Sequence, residues 1–170
     1  MTTWAVLATG PSMSLEFARS VMWRCAVVAV SDAYKLAPWA DAIASSDRAW
    51  WMANPEAMEM KCQKYCGITF DVPEGVTKFE GALSGSNSGL LGLKVAVSKG
   101  AKKVLLLGFD MGGTHYFGEH KPPLKNTKTE RFAVFNEQFR RYRPKGVEII
   151  NCTPDSQLDA YPKKRLEECL

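Results

Sequence analysis

GSNSGLLGLKVAVSKGAKKVLLLGFD, residues 85–110, is the stretch on which the fold of this chain turns. Its first five residues, Gly85-Ser86-Asn87-Ser88-Gly89, are rich in turn formers, and from Leu90 to Lys99 apolar side chains recur at helical spacing. Gly100 supplies the C-terminal stop that a helix needs, and Lys103 to Leu107 then reads as a strand running directly into Gly108-Phe109-Asp110. Together these pieces are the α-to-β half of a βαβ crossover.

The flanking sequence repeats the same grammar. Thr3 to Ala8 is a short apolar run ending in Thr9-Gly10-Pro11-Ser12, and Met13 to Met22 is helical in its spacing. Ala26 to Val30 is a continuous apolar run, as expected of a strand covered on both faces, and it stops at Ser31-Asp32. Asp41 to Ala44 is a weaker strand closing at Ser45-Ser46-Asp47, and Arg48 to Tyr65 reads as helix broken at Asn54-Pro55. Ile68 to Phe70 and Val76 to Phe79 are brief strand candidates. Beyond Asp110, residues 111–127 are rich in Gly, Pro and His and form a long loop of the kind usually tied to function. Lys128 to Tyr142 is a charged helix, Val147 to Ile150 a last strand, and Lys163 to Cys169 a closing helix. Strand and helix alternate along nearly the whole chain, which predicts an α/β three-layer sandwich of the Rossmann-like kind: a mostly parallel sheet with helices on both faces.

With 170 residues and 46% apolar content the chain is expected to be one domain, 1–170, with a sizeable core. A formal charge of +4, from 22 basic and 18 acidic residues, is too small and too scattered to indicate duplex nucleic acid, and an anionic small ligand fits it equally well. The sequence has no basic leader at its start and no apolar run of bilayer length, so the expectation is a cytoplasmic protein with no membrane partner. Cys25, Cys62, Cys66, Cys152 and Cys169 are odd in number and irregularly spaced, as for reduced thiols rather than a disulfide framework. Cys62 and Cys66 would share one helix face, with no second pair at zinc-site spacing.

Chemistry in an open parallel sheet belongs where strands end and helices begin, because free backbone N–H groups and the helix dipole favour negative charge there. Thr9-Gly10-Pro11-Ser12 is one such place, readable as an anion-binding turn or as an ordinary helix start. Gly85 to Gly89 is another, with two glycines, two hydroxyls and an amide in five residues. Neither the three-glycine dinucleotide fingerprint nor a Gly-Lys-Ser/Thr loop is present. Asp32 and Asp47, each just past a strand, read singly as N-caps and together as acceptors for a ribose or base or as holders of a cation. Asp110 reads as a site carboxylate or a turn former. His115-Tyr116-Phe117-Gly118-Glu119-His120 holds both histidines of the chain, and with Glu119 and Asp110 in reach an imidazole there can serve as base, phosphate donor or metal ligand. Lys121 and Lys125, and the Arg131, Arg140, Arg141 and Arg143 of the charged helix, read first as solvated charge. Trp50, Trp51 and Met52 read first as core or interface, although a stack on a base fits them too.

On Gly10-Pro11-Ser12, Ser84 to Gly89 and Gly108-Phe109-Asp110, the chain resembles a Rossmann-like superfamily. Its members include bacterial CMP-sialic acid-dependent sialyltransferases, motility-accessory-factor glycosyltransferase-like proteins and archaeal 6-hydroxymethylpterin diphosphokinases. The loop His115 to His120 looks closer still to short, phage-type single-domain members. The resemblance covers nearly the full chain through short motifs. It implies that Gly10, Pro11, Ser12, Ser86, Asn87 and Ser88, with Thr9 in place of a common Asn and Gly85 beside them, hold the phosphate and ribose of a nucleotide. Asp32 and Asp47 would replace polar contacts that relatives draw from Asn. No separate lid or acceptor domain is present in these residues, and the family's base has no match by sequence, so His115 or His120, with Asp110, takes the catalytic role. The implied function is a nucleotide-binding transferase moving a glycosyl or diphosphoryl group from a nucleotide or nucleotide-sugar donor. Mg²⁺ on Asp110 or Asp47 is expected for the diphosphoryl case only. The alternatives are a nucleotide-binding module without turnover and a phage accessory factor in nucleic-acid modification; a homo-oligomer is compatible with each.

Overall fold

A computed structural model describes residues 2–67, 71–80 and 87–170. Among the described residues seven strands form one sheet: β1 (Thr3–Leu7), β2 (Ala26–Val30), β3 (Ala42–Ala44), β4 (Gln63–Cys66), β5 (Thr77–Lys78), β6 (Lys103–Leu107) and β7 (Glu148–Asn151). Five helices join them: α1 (Leu15–Arg19), α2 (Arg48–Ala53), α3 (Pro55–Glu59), α4 (Ser88–Ser98) and α5 (Thr129–Arg141). The strand order is β5-β4-β3-β2-β1-β6-β7, and every pairing is parallel. The chain therefore winds outward from β1 to β5, then returns through α4 and winds the other way. The reversal lies between β1 and β6, whose register runs from Thr3 opposite Lys103 to Leu7 opposite Leu107.

Alternation along the strands explains why they read as unbroken apolar runs. Ala5 and Leu7, Val27 and Ala29, Ile43, and Leu105 and Leu107 face a core closed by Ala18, Val21, Trp50 and Trp51. Val6, Val28 and Val30, Ala42 and Ala44, and Val104 and Leu106 face the other, closed by Leu90, Leu93 and Ala96 of α4 and Phe139 of α5. Trp50 and Trp51 are thus core residues, as their first reading held, while Met52 is exposed. The sheet is the Rossmann-like α/β architecture that the alternation implied.

Three local expectations are corrected. The first helix starts at Leu15, capped by Ser14, whose hydroxyl accepts from Phe17 N at 3.0 Å, so neither Pro11 nor Ser12 opens it. The stretch Arg48 to Tyr65 is not helical to its end. Gln63–Cys66 is β4, next to the sheet edge, where Gln63 is exposed and Lys64 turns its amine back onto the carbonyl oxygens of Met60 and Cys62. Cys62 accordingly lies in the bend before β4 and Cys66 in the strand itself, not together on a helix face, and burial raises the Cys62 thiol pKa. The closing helix is a single 3₁₀ turn, Leu166–Glu168. Ile68 to Phe70 lies outside the described residues.

Candidate functional site

Where β1 and β6 end side by side, two glycines let the chain cross itself. Gly10 N donates to Gly108 O at 2.9 Å, beyond the last ladder residues. A Cβ on Gly10 would stand 1.9 Å from Asp110 Oδ2 and 2.4 Å from Gly108 O. Gly108 adopts φ +77°, and a Cβ there would meet Met13 Cγ at 2.2 Å. Gly10 is therefore fixed by the protein's own packing. Asp110 Oδ2 accepts from Ser12 Oγ at 2.7 Å and from Ser12 N at 3.4 Å. The donors of the first turn thus already serve an internal carboxylate. Burial raises the Asp110 pKa, against the pull of the two Ser12 bonds.

The α4 entrance lies across the same hollow. Asn87 caps the helix, its Oδ1 accepting from Leu90 N at 3.0 Å, and its Nδ2 donates to Gln138 Oε1 of α5 at 2.8 Å. Ser88 turns away: its hydroxyl accepts from Ser46 N at 3.0 Å and meets Ser46 Oγ at 2.9 Å, latching α4 to the end of β3. Gly89 has no room for a Cβ, which would approach Phe109 Cε1 to 2.9 Å. Gly85 and Ser86 lie outside the described residues.

Between these strand ends, the α4 entrance, the long loop and α5 is a cleft of about 900 Å³. Ala8, Thr9 and Gly10 line it from β1, Gly108 to Met111 from β6, and Asn87 and Gly89 from α4. The loop contributes Gly112 to His115, Glu119, Asn126 and Thr127, and α5 contributes a face that includes Phe132, Asn136 and Arg140. Of the expected site residues, Thr9, Gly10, Asn87, Asp110 and His115 meet in this cleft, whereas Pro11, Ser12 and Ser88 do not line it. Asp32 and Asp47 are elsewhere. Asp32 is buried, accepting from Trp50 Nε1 at 2.8 Å and paired with Lys35 Nζ at 2.7 Å, and Asp47 caps α2 through Ala49 N at 2.9 Å.

His115 and Thr9 share a hydrogen bond, Nδ1 to Oγ1, at 2.7 Å. The His115 ring stacks on Phe117 with centroids 4.8 Å apart and planes 3° from parallel, and His120 leans on it at 4.6 Å. Burial first, and His120 second, lower the pKa of His115, which favours the uncharged imidazole. His120 does not line the cleft and buttresses His115 instead. Lys121 and Lys125 are exposed outside the cleft.

Sequence reading missed most of the α5 wall. Phe132, Asn136 and Arg140 recur every four residues on one helix face, which was visible as a spacing but not as a ligand surface. Arg140 does hold solvated ion pairs, bonding Asp159 through Nε at 2.9 Å and Nη2 at 2.8 Å. Asn136 Oδ1 is buried and, among the described residues, has no hydrogen-bond partner. The donor set does not suit a protein-held Mg²⁺: Asp110 is engaged by Ser12, Asp47 is outside, and no three His, Cys, Asp or Glu cluster among the described residues. No helix among them is long and apolar enough to cross a membrane.

The sequence matches no protein-family model and no curated protein. The structure is similar to that of a MAf glycosyltransferase from Magnetospirillum magneticum AMB-1, with a TM-score of 0.67 at 16% identity. That match covers 99% of this chain and 34% of the other, so the chain spans about a third of that protein's length. Fold and comparison together define a Rossmann-like α/β domain with its cleft at the strand-order reversal, the position where such sheets bind ligands.

Proposed function

We propose that this chain binds a nucleotide-linked sugar in the cleft and transfers the glycosyl group to an acceptor hydroxyl. The observation that carries this reading is an imidazole, His115, bonded to Thr9 Oγ1 through Nδ1 and lining a cleft of about 900 Å³ at the β1–β6 reversal. In the reaction, the bond between the anomeric carbon and the donor phosphate oxygen breaks. The acceptor oxygen bonds to that carbon, and its proton passes to His115. The departing phosphate is stabilised by the free N–H groups in the first turn of α4, next to Asn87 and Gly89. Amides and hydroxyls from Asn87, Asn126, Asn136, Gln157, Thr114 and Thr127 line the rest, a lining that suits sugar hydroxyls or a base edge better than a second polyphosphate.

The test is titration with CMP, CDP, ATP and sugar nucleotides, followed by product analysis with and without Mg²⁺. Sugar-nucleotide binding with sugar transfer or hydrolysis, reduced at least 100-fold in His115→Ala, supports the reading. Binding that never yields product and survives His115→Ala identifies a nucleotide-binding module instead. Steeply salt-dependent DNA binding without nucleotide binding would favour a nucleic-acid accessory role.

A further inference from the structure

We propose that Tyr116 is the positioning residue that sets His115 in the cleft, by fastening the tip of the 111–127 loop to the ends of β1 and β2. Both ends of Tyr116 are used. Its backbone N–H donates to Thr9 O at 2.8 Å, and its phenol donates to Asp32 O at 2.8 Å. The turn between them is closed on itself, with His115 N donating to Gly118 O at 3.1 Å and Gly118 N to His115 O at 3.0 Å. The His115 side chain therefore leaves a turn with two fixed points, and Thr9 meets both the turn's backbone and the imidazole.

The distal fixed point is itself rigid. Asp32 lies in a 3₁₀ turn directly after β2, and its carboxylate is held by Trp50 Nε1 and Lys35 Nζ. Trp50 packs edge-on to Tyr34 at 5.8 Å and to Trp51 at 4.9 Å, inside the core. This gives Asp32 a task other than ligand contact: it makes the carbonyl on which Tyr116 hangs immobile. Burial and Asp32 push the Tyr116 phenol up to about 12, so it stays protonated and remains a donor over the whole working pH range.

The inference rests on the catalytic reading of His115, but its test does not require turnover. His115 is titrated by NMR through its ring Cε1–H in the wild-type chain and in Tyr116→Phe, which keeps the ring and deletes only the phenol oxygen. The side chains that act electrostatically on His115 are His120 of its own loop and Asp32 after β2, and Tyr116→Phe alters neither. The expected result is a His115 pKa that rises toward the ordinary value as the ring gains water, together with loss of the Phe117 ring-current shift. Far-UV dichroism should be unchanged. Trp50→Phe, which loosens the Asp32 anchor from the far side, should shift His115 in the same direction. An unchanged His115 titration in a folded Tyr116→Phe chain overturns the inference. If Tyr116→Phe fails to fold, an unchanged His115 titration in Trp50→Phe overturns it equally. Absence of any sugar-nucleotide turnover would instead remove the transferase reading and leave this one standing.

Discussion

Gly10 is a glycine because Asp110 occupies the space a side chain would need. The sequence presented Gly10-Pro11-Ser12 as a place for a ligand anion, and the turn does bind a carboxylate, only it is one supplied by residue 110. That substitution could not be read in advance, since 98 residues separate Ser12 from Asp110 and only the β1–β6 pairing brings them together. Gly10→Ala should therefore destabilise the chain by about 1–3 kcal/mol, the usual range for overpacking, with or without ligand, as measured by urea unfolding. Asn136 should behave in the opposite manner. Because its Oδ1 has no partner within the described protein, Asn136→Leu should leave stability nearly unchanged yet weaken ligand binding several-fold, the share of one hydrogen bond of about 1 kcal/mol. His115 ties this scale to pH. Its folded pKa is below the unfolded one, so the unfolded chain takes up the proton first and the fold loses stability as pH falls from about 6.5 toward the folded value. Denaturation midpoints measured across that interval should fall with pH in the wild-type chain and flatten in His115→Gln.

Helix α4 shows how far an element can be read from its letters. Leu90 to Lys99, with Gly100 after it, gave the helix to within two residues at its start and one at its end, because cap, apolar period and stop all agreed. Gly92 within it carried no such signal. Its face lies against the sheet, where a Cβ would reach Val30 Cγ2 at 2.7 Å and Val6 Cγ1 at 3.0 Å. Gly92→Ala sets a helix-propensity gain of about 1 kcal/mol against an overpacking cost of about 1–3 kcal/mol, and the net result should be a modest loss of thermal stability. Gly100→Ala meets no neighbour within 4 Å, yet φ is +86°, so the cost is conformational, about 1 kcal/mol. The strand β4 was misread for the converse reason. Near an open edge a strand is not obliged to be apolar, and Gln63, Lys64 and Tyr65 look no different from the helix before them.

The order of the strands belongs to the whole molecule and to no segment of it. Alternation announces a parallel sheet, but that β6 returns to the far side of β1 is decided by where α4 packs, and so the cleft could be assigned to strand ends without knowing which two. Two cores on one sheet should also fail together. Trp4 lies in one and Trp50 and Trp51 in the other, so single-tryptophan variants retaining either probe should share one urea midpoint. Separate midpoints would mean that the faces unfold independently. The pairing of Thr3 with Lys103 carries a further consequence during synthesis. The middle of the sheet pairs β1 with a strand that emerges from the ribosome about a hundred residues after it, and such distant closure is slow. Until then β1 shows Ala5 and Leu7 on one side and Val6 on the other, with its edge toward β6 unpaired, which makes the nascent chain prone to association through that edge.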